Sequence, residues 1–99
     1  MIKPTRITDE KYRRWVASLP CIRCGIEGYS QCAHRCGAGM GTKASDYESF
    51  PLCAGRMATY GCHYEHDHCV GITVEERRRR EAEYVARTQK AARSDGVIE

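Results

Sequence analysis

Two thiols three positions apart, in Cys21-Ile22-Arg23-Cys24-Gly25, constrain this chain more than any other feature of its sequence. A tight turn between such cysteines aims both sulfurs inward, so that the pair can grip one zinc ion, and the following glycine relieves the backbone. A tetrahedral site needs two further ligands. Cys53, in Pro51-Leu52-Cys53, and Cys62, in Gly61-Cys62-His63, supply the evident pair. They are set wider apart than in a compact knuckle, as if a loop over 54–61 were inserted between them. His63 is the alternative to Cys62 as fourth ligand. A redox C-x-x-C is the competing use of the motif, but it wants a strand before it and a helix after it. Here a predicted helix and Pro20 precede the motif and Gly25 follows it.

A metal would answer a shortage of core. The chain has 99 residues with one Trp, one Phe and six Tyr, and no long aliphatic run. Chains this short bury a limited fraction of their surface and often need a metal or disulfides to hold them. The segment Met1-Ile2-Lys3-Pro4-Thr5-Arg6 has no apolar stretch, which predicts no secretory leader. Nothing approaches the ~18 apolar residues of a membrane-spanning helix, so no membrane association is expected. The expectation is a cytoplasmic protein with reduced thiols, whose clustered cysteines bind metal before they form disulfides. The odd total of seven cysteines points the same way.

Net charge is +3, from sixteen Lys and Arg against thirteen Asp and Glu. That balance is compatible with nucleic acid without selecting it. The distribution is more informative, because Lys11, Arg13 and Arg14 lie towards one end and Arg77, Arg78, Arg79 and Arg80 towards the other. Solvated helix faces are the plain account of both groups.

The chain divides into helical ends and a broken middle. Tyr12, Trp15, Val16 and Leu19 recur at helical spacing, so a helix is predicted over 8–19, capped by Thr8 or Asp9 and stopped by Pro20. Between 21 and 61, glycines punctuate short pieces, including the loop Gly37-Ala38-Gly39-Met40-Gly41. A strand is expected over 46–53, leading into the second half of the metal site. A helix is expected from Cys62 to about His68, ended by Gly71. Thr73, with Glu76 three residues on, has a capping-box pattern, and the helix it opens carries Val74, Tyr84 and Val85 as far as about Ala92, before Gly96. There is no internal repeat and no linker, so 1–99 reads as a single domain with its core over 21–71.

Cys21-x-x-Cys24, Ala33-His34, Gly39-Met40-Gly41-x-Lys43-x-x-Asp46, Pro51-Leu52-Cys53 and Cys62-His63 follow one another in an order that resembles the HNH (ββα-metal) endonucleases. The likeness is greatest to small phage and prophage nucleases, including the recombination-associated kind, and covers about half the chain. It implies an α+β fold, a small zinc-stabilised ββα-metal domain flanked by N- and C-terminal helices. It implies a hydrolase that cuts phosphodiester bonds in DNA, in a bacterial host cell and of phage or prophage origin, with a recombination protein as a candidate partner. In such enzymes the first histidine ends a strand and acts as general base, which here is His34. A neutral imidazole suits that task near physiological pH. The catalytic divalent ion, magnesium or another, is held from the following helix, where His63 stands, distinct from the structural zinc on Cys21, Cys24, Cys53 and Cys62. Asp67 at i+4 shares the face of His63, with His68 as the alternative and His66 also within reach. Lys43 would contact the phosphate, or be a solvated loop lysine. The plain account of His66 and His68 is an exposed histidine cluster that picks up stray metal.

Two departures from the family pattern stand out. Ala33 occupies the place where many HNH enzymes have an Asp that ligates the metal. The middle Asn is absent, and Asp46, near its region, can instead brace the loop that carries His34. In addition, Cys32, His34 and Cys36 would share one face of a strand, which leaves His34 open as a structural ligand. Cys32 and Cys69 otherwise read as small packing residues. A non-catalytic, zinc-stabilised nucleic-acid-binding module is the runner-up function, and a zinc-knuckle adaptor for another protein is the third.

Overall fold

A computed structural model describes residues 9–35, 45–55 and 60–98. The elements run α1 (Glu10–Ala17), β1 (Ser30–His34), β2 (Ser49–Cys53), α2 (Cys62–Asp67) and α3 (Val74–Ser94). The chain is thus a small α+β domain, in which, among the described residues, one antiparallel two-stranded sheet is packed by helices.

Local chemistry accounts for the helix ends. Asp9 is the cap of α1, its Oδ1 accepting the Tyr12 N–H at 3.0 Å; the alternative cap, Thr8, lies outside the described residues. α1 ends at Ala17, sooner than the apolar spacing suggests. Ser18, which caps its carboxyl end, donates its backbone N–H to the Arg14 and Trp15 carbonyls. Thr73 caps α3 as its sequence pattern predicts, accepting the Glu76 N–H at 3.1 Å. α3 then runs two residues beyond Ala92, and Gly96, with φ of 74°, takes the left-handed conformation that suits glycine just past a helix end. Its buried residues, Glu81, Tyr84, Val85, Thr88 and Ala92, recur every three to four positions and form one stripe.

The strand expected over 46–53 begins only at Ser49. Residues 45–48 are tied into a turn by Glu48 N–H to Ser45 carbonyl (2.9 Å) and by the Ser49 hydroxyl to the Asp46 carbonyl (2.5 Å). β1 and β2 pair with Gln31 opposite Leu52, Cys32 opposite Pro51, and Ala33 opposite Phe50. Pro51 costs no ladder bond. Its carbonyl is turned away from β1 and accepts the Ile22 N–H at 2.9 Å, and its missing N–H would point to that same outer side. The same bond fastens the 21–24 turn to β2.

The register splits the core in two. Ala33, Phe50 and Leu52 pack with Cys21, Cys53 and Tyr84. On the other side Tyr12, Val16 and Ala92 pack together with Cys32, Trp15 and Tyr47. Cys32 is therefore a packing residue.

Two expectations are corrected here. His66 is not part of an exposed cluster: it is buried, edge-on to Phe50, with its Nε2 2.8 Å from Glu81 Oε2. Arg77 does not lie on a solvated helix face: its Nε is 3.2 Å from Glu81 Oε2, and Glu81 is buried between Arg77 and His66. The packing of α2 and α3 against the sheet draws both into the interior. Among the described residues no helix is long and apolar enough to cross a membrane.

Candidate functional site

The four cysteines picked out by spacing converge. The sulfurs of Cys21, Cys24, Cys53 and Cys62 all lie within 4.8 Å of one another. Three local features bring them there. The 21–24 turn closes through Gly25 N–H to Cys21 carbonyl at 2.8 Å, with Gly25 at φ 82°. The Ile22–Pro51 bond sets that turn beside the end of β2. Gly61 lets the start of α2 close on it, since a Cβ at 61 would overlap the Cys53 carbonyl oxygen and the Ala54 backbone.

Four thiolates around one zinc at about 2.3 Å would stand about 3.8 Å apart in a tetrahedron, and Cys24 and Cys53 are separated by 3.8 Å. The electrostatics fit as well. Burial opposes ionisation of Cys21, but N–H groups of Cys24, Arg23 and Cys53 outweigh it and bring its pKa down to about 7. Burial and the neighbouring sulfurs push Cys62 far up, and burial raises Cys53. So many thiols in one place cannot all ionise without a cation to neutralise them, which metal binding would supply. The group can hold a metal ion such as zinc. Cys62, not His63, completes it.

His34 stands apart from this cluster. It ends β1, and its Nε2 lies 2.8 Å from Asp46 Oδ1. Asp46 is fully buried, and its Oδ2 accepts the Asp9 N–H at 2.6 Å and pairs with Arg13 Nε at 3.1 Å. Burial would raise its pKa, but the Asp9 N–H, His34 and Arg13 prevail and hold it below the usual carboxylate value. Asp9 is itself fixed by the Tyr47 hydroxyl at 2.8 Å. Asp46, expected to brace the loop that carries His34, holds the His34 ring itself. Arg13 and Asp9, which aim the brace, carry no local sequence signal, because their partner lies more than thirty residues away.

His63 and Asp67 lie one helical turn apart on α2, with Nε2 3.3 Å from Asp67 Oδ2. The His63 Nδ1 is 2.9 Å from Gln31 Oε1, a partner that sequence spacing does not reveal. His68 does not join them: its Nδ1 is 2.9 Å from the Tyr64 carbonyl and its ring lies against Tyr64. Among the described residues the four cysteines are the only cluster of three or more metal-binding side chains. Cys69 lies outside it, 3.9 Å from Arg77 Nη1. Lys43 and Cys36 lie outside the described residues.

The sheet does not bring the two histidines together. Gln31 and Ala33 belong to the face that meets α2 and Tyr84, whereas Cys32 and His34 belong to the face that meets α1. Side chains alternate along a strand, so His34 and the His63–Asp67 pair stand on opposite sides of the hairpin.

A family profile described as "Protein of unknown function (DUF968)" matches residues 1–90. The chain belongs to the DUF968 family. Within Escherichia coli (strain K12), the uncharacterized protein YdfU is 44% identical over 54 residues, covering 52% of this chain. The matched stretch is 15% of that relative's length, so this DUF968 chain resembles a small part of a longer protein. No solved structure matches it. Neither description names an activity, a substrate or a partner.

Proposed function

We infer that the chain is a nuclease of the HNH (ββα-metal) kind, held by a structural zinc, that hydrolyses phosphodiester bonds in DNA with His34 as general base. The observation that carries this reading is the contact of His34 Nε2 with the buried Asp46 carboxylate at 2.8 Å. A carboxylate on one ring nitrogen fixes the orientation and tautomer of an imidazole. With Nε2–H donated to Asp46, the lone pair sits on Nδ1, and the side chain remains one-third exposed. There it takes a proton from water as the water oxygen bonds to phosphorus and the ester P–O bond breaks. Once positive, the ring is stabilised by Asp46. The succession β1, β2, α2, with His34 ending the first strand and His63 opening the helix, is the order such a core requires.

His63 and Asp67 are the residues of α2 suited to a divalent ion such as magnesium, which when bound would neutralise charge on the phosphate and the leaving oxygen. The exposed Arg78 and Arg79 would contact backbone phosphates without reading sequence, and Lys43 is assigned the same role from its place in the sequence. A recombination protein remains a candidate partner.

One observation favours a second reading. His34 and His63 project from opposite faces of the hairpin, so the base and the residues suited to a divalent ion do not share one side of the sheet. The alternative is a zinc-stabilised nucleic-acid-binding module without catalysis. Purified protein incubated with supercoiled plasmid and magnesium or manganese separates the two. The nuclease reading predicts nicked or linear product that is lost in His63→Ala and partly regained at excess divalent ion. Binding without any metal-stimulated cleavage supports the module.

A further inference from the structure

α2 carries a feature that neither the zinc nor the His34 chemistry uses. Tyr60, Tyr64 and His68 follow at four-residue spacing from just before the helix to its carboxyl end, and their rings stack. Tyr60 and Tyr64 are 4.2 Å apart and 14° from parallel; Tyr64 and His68 are 4.0 Å apart and 21° from parallel. The bond between His68 Nδ1 and the Tyr64 carbonyl helps fix the last ring. A stack serving only the core would hide its rings, but Tyr60 is 70% exposed and Tyr64 40%. The terminal ring keeps a π face open to solvent.

The charge on α2 itself does not oppose an anionic chain. The acidic residues of α2 are matched, Glu65 by Arg23 at 2.8 Å and Asp67 by His63 and Arg77. Arg77 Nη1 also bonds the Asp67 carbonyl at 3.1 Å, which ties the first turns of α3 to the end of α2 beside His68. Arg78 and Arg79 follow on α3, both exposed. An open aromatic face on one element with exposed cations on the next is a combination that binds single-stranded nucleic acid, with a base stacked on the ring and the backbone phosphates running towards the arginines.

We propose that Tyr60, backed by Tyr64 and His68, is a stacking platform for an unpaired nucleobase, so that the substrate class is nucleic acid with single-stranded character. This rests on the nucleic-acid part of the function proposed above. Bases within a duplex are stacked on their neighbours and offer no free face to Tyr60.

The test is fluorescence anisotropy without added divalent ion, using a short oligothymidylate, an abasic deoxyribose-phosphate oligomer of the same length, and a duplex. Wild-type protein should prefer oligothymidylate to the abasic oligomer. Tyr60→Leu, at an exposed position where folding is not at stake, should weaken oligothymidylate binding by about fivefold or more. It should leave abasic and duplex binding unchanged, and Tyr60→Phe should keep wild-type affinity. If Tyr60→Leu binds oligothymidylate as wild type does, or loses affinity equally on all three ligands, the platform is overturned while a nuclease acting on duplex stands. If the wild type binds none of the three, both fail together.

Discussion

Asp46 holds His34 with one carboxylate oxygen and is itself held through the other: His34 Nε2 lies 2.8 Å from Oδ1, while Oδ2 accepts the Asp9 N–H at 2.6 Å and forms an ion pair with Arg13 Nε at 3.1 Å. The brace joins the start of α1 to the end of β1 through one fully buried carboxylate. A group buried this way must stay charged to be satisfied, which ties its protonation to both folding and the orientation of the imidazole.

Asp46→Asn should therefore lower any cleavage by about a hundredfold or more, because the amide can present its N–H to Nε2 and so favour the wrong tautomer. It should also change the acid sensitivity of the fold. The folded Asp46 pKa is depressed, so its stabilisation is present above the ordinary carboxylate value of ~3.9 and is lost as pH falls below that towards the folded value. Melting curves of wild type and Asp46→Asn should differ steadily from neutral pH down to about 4 and converge below it. A constant difference across the acid range would remove Asp46 as the titrating group.

The cysteine cluster predicts close to one zinc per chain by metal analysis of protein purified without chelator. Cys24→Ser leaves three thiolates where four converge, and it should lose zinc and the cooperative melting transition together, since structural zinc contributes folding free energy outright. A zinc-free Cys24→Ser protein that melts like wild type would remove the metal from the account of stability.

Glu81 should matter to stability more than its place in a charged run suggests. It sits buried between His66 Nε2 at 2.8 Å and Arg77 Nε at 3.2 Å. Glu81→Ala should cost about 3–5 kcal/mol in denaturant unfolding, because it strands partners inside the protein. A cost under ~1 kcal/mol would be that of an exposed pair.

The cysteine cluster was legible in the sequence because its chemistry is local: a turn places Cys21 and Cys24, and Cys53 and Cys62 lie at the ends of neighbouring elements. The Thr73 cap was legible for the same reason. Glu81 was not. In Arg77-Arg78-Arg79-Arg80-Glu81 it looks solvated, and what buries it is His66 on a different helix. The separation of His34 from His63 was hidden too, because it depends on strand register. Ala33 faces Phe50 and Leu52, which leaves His34 on the α1 side, and no spacing rule fixes that choice before the hairpin is paired.

Arg78 and Arg79 are exposed on α3. Replacing both with Ala should weaken DNA binding evenly across sequences and reduce the log–log salt slope by roughly one for each lost phosphate contact, with little change in melting temperature. An unchanged slope would make these arginines a solvated helix face and leave the phosphate grip to other basic residues.

If His34 takes a proton from water during phosphodiester cleavage, removing its basic nitrogen must slow the chemical step and leave folding and binding alone. The measurement is the single-turnover cleavage rate of wild type against His34→Gln, with zinc content and DNA affinity determined on the same preparations. Gln keeps an N–H for the Asp46 carboxylate but cannot accept a proton near neutral pH. His34→Gln should cleave about 10²–10⁴-fold more slowly, with zinc and affinity close to wild type. An equal rate in His34→Gln, or loss of zinc from it, would contradict the assignment.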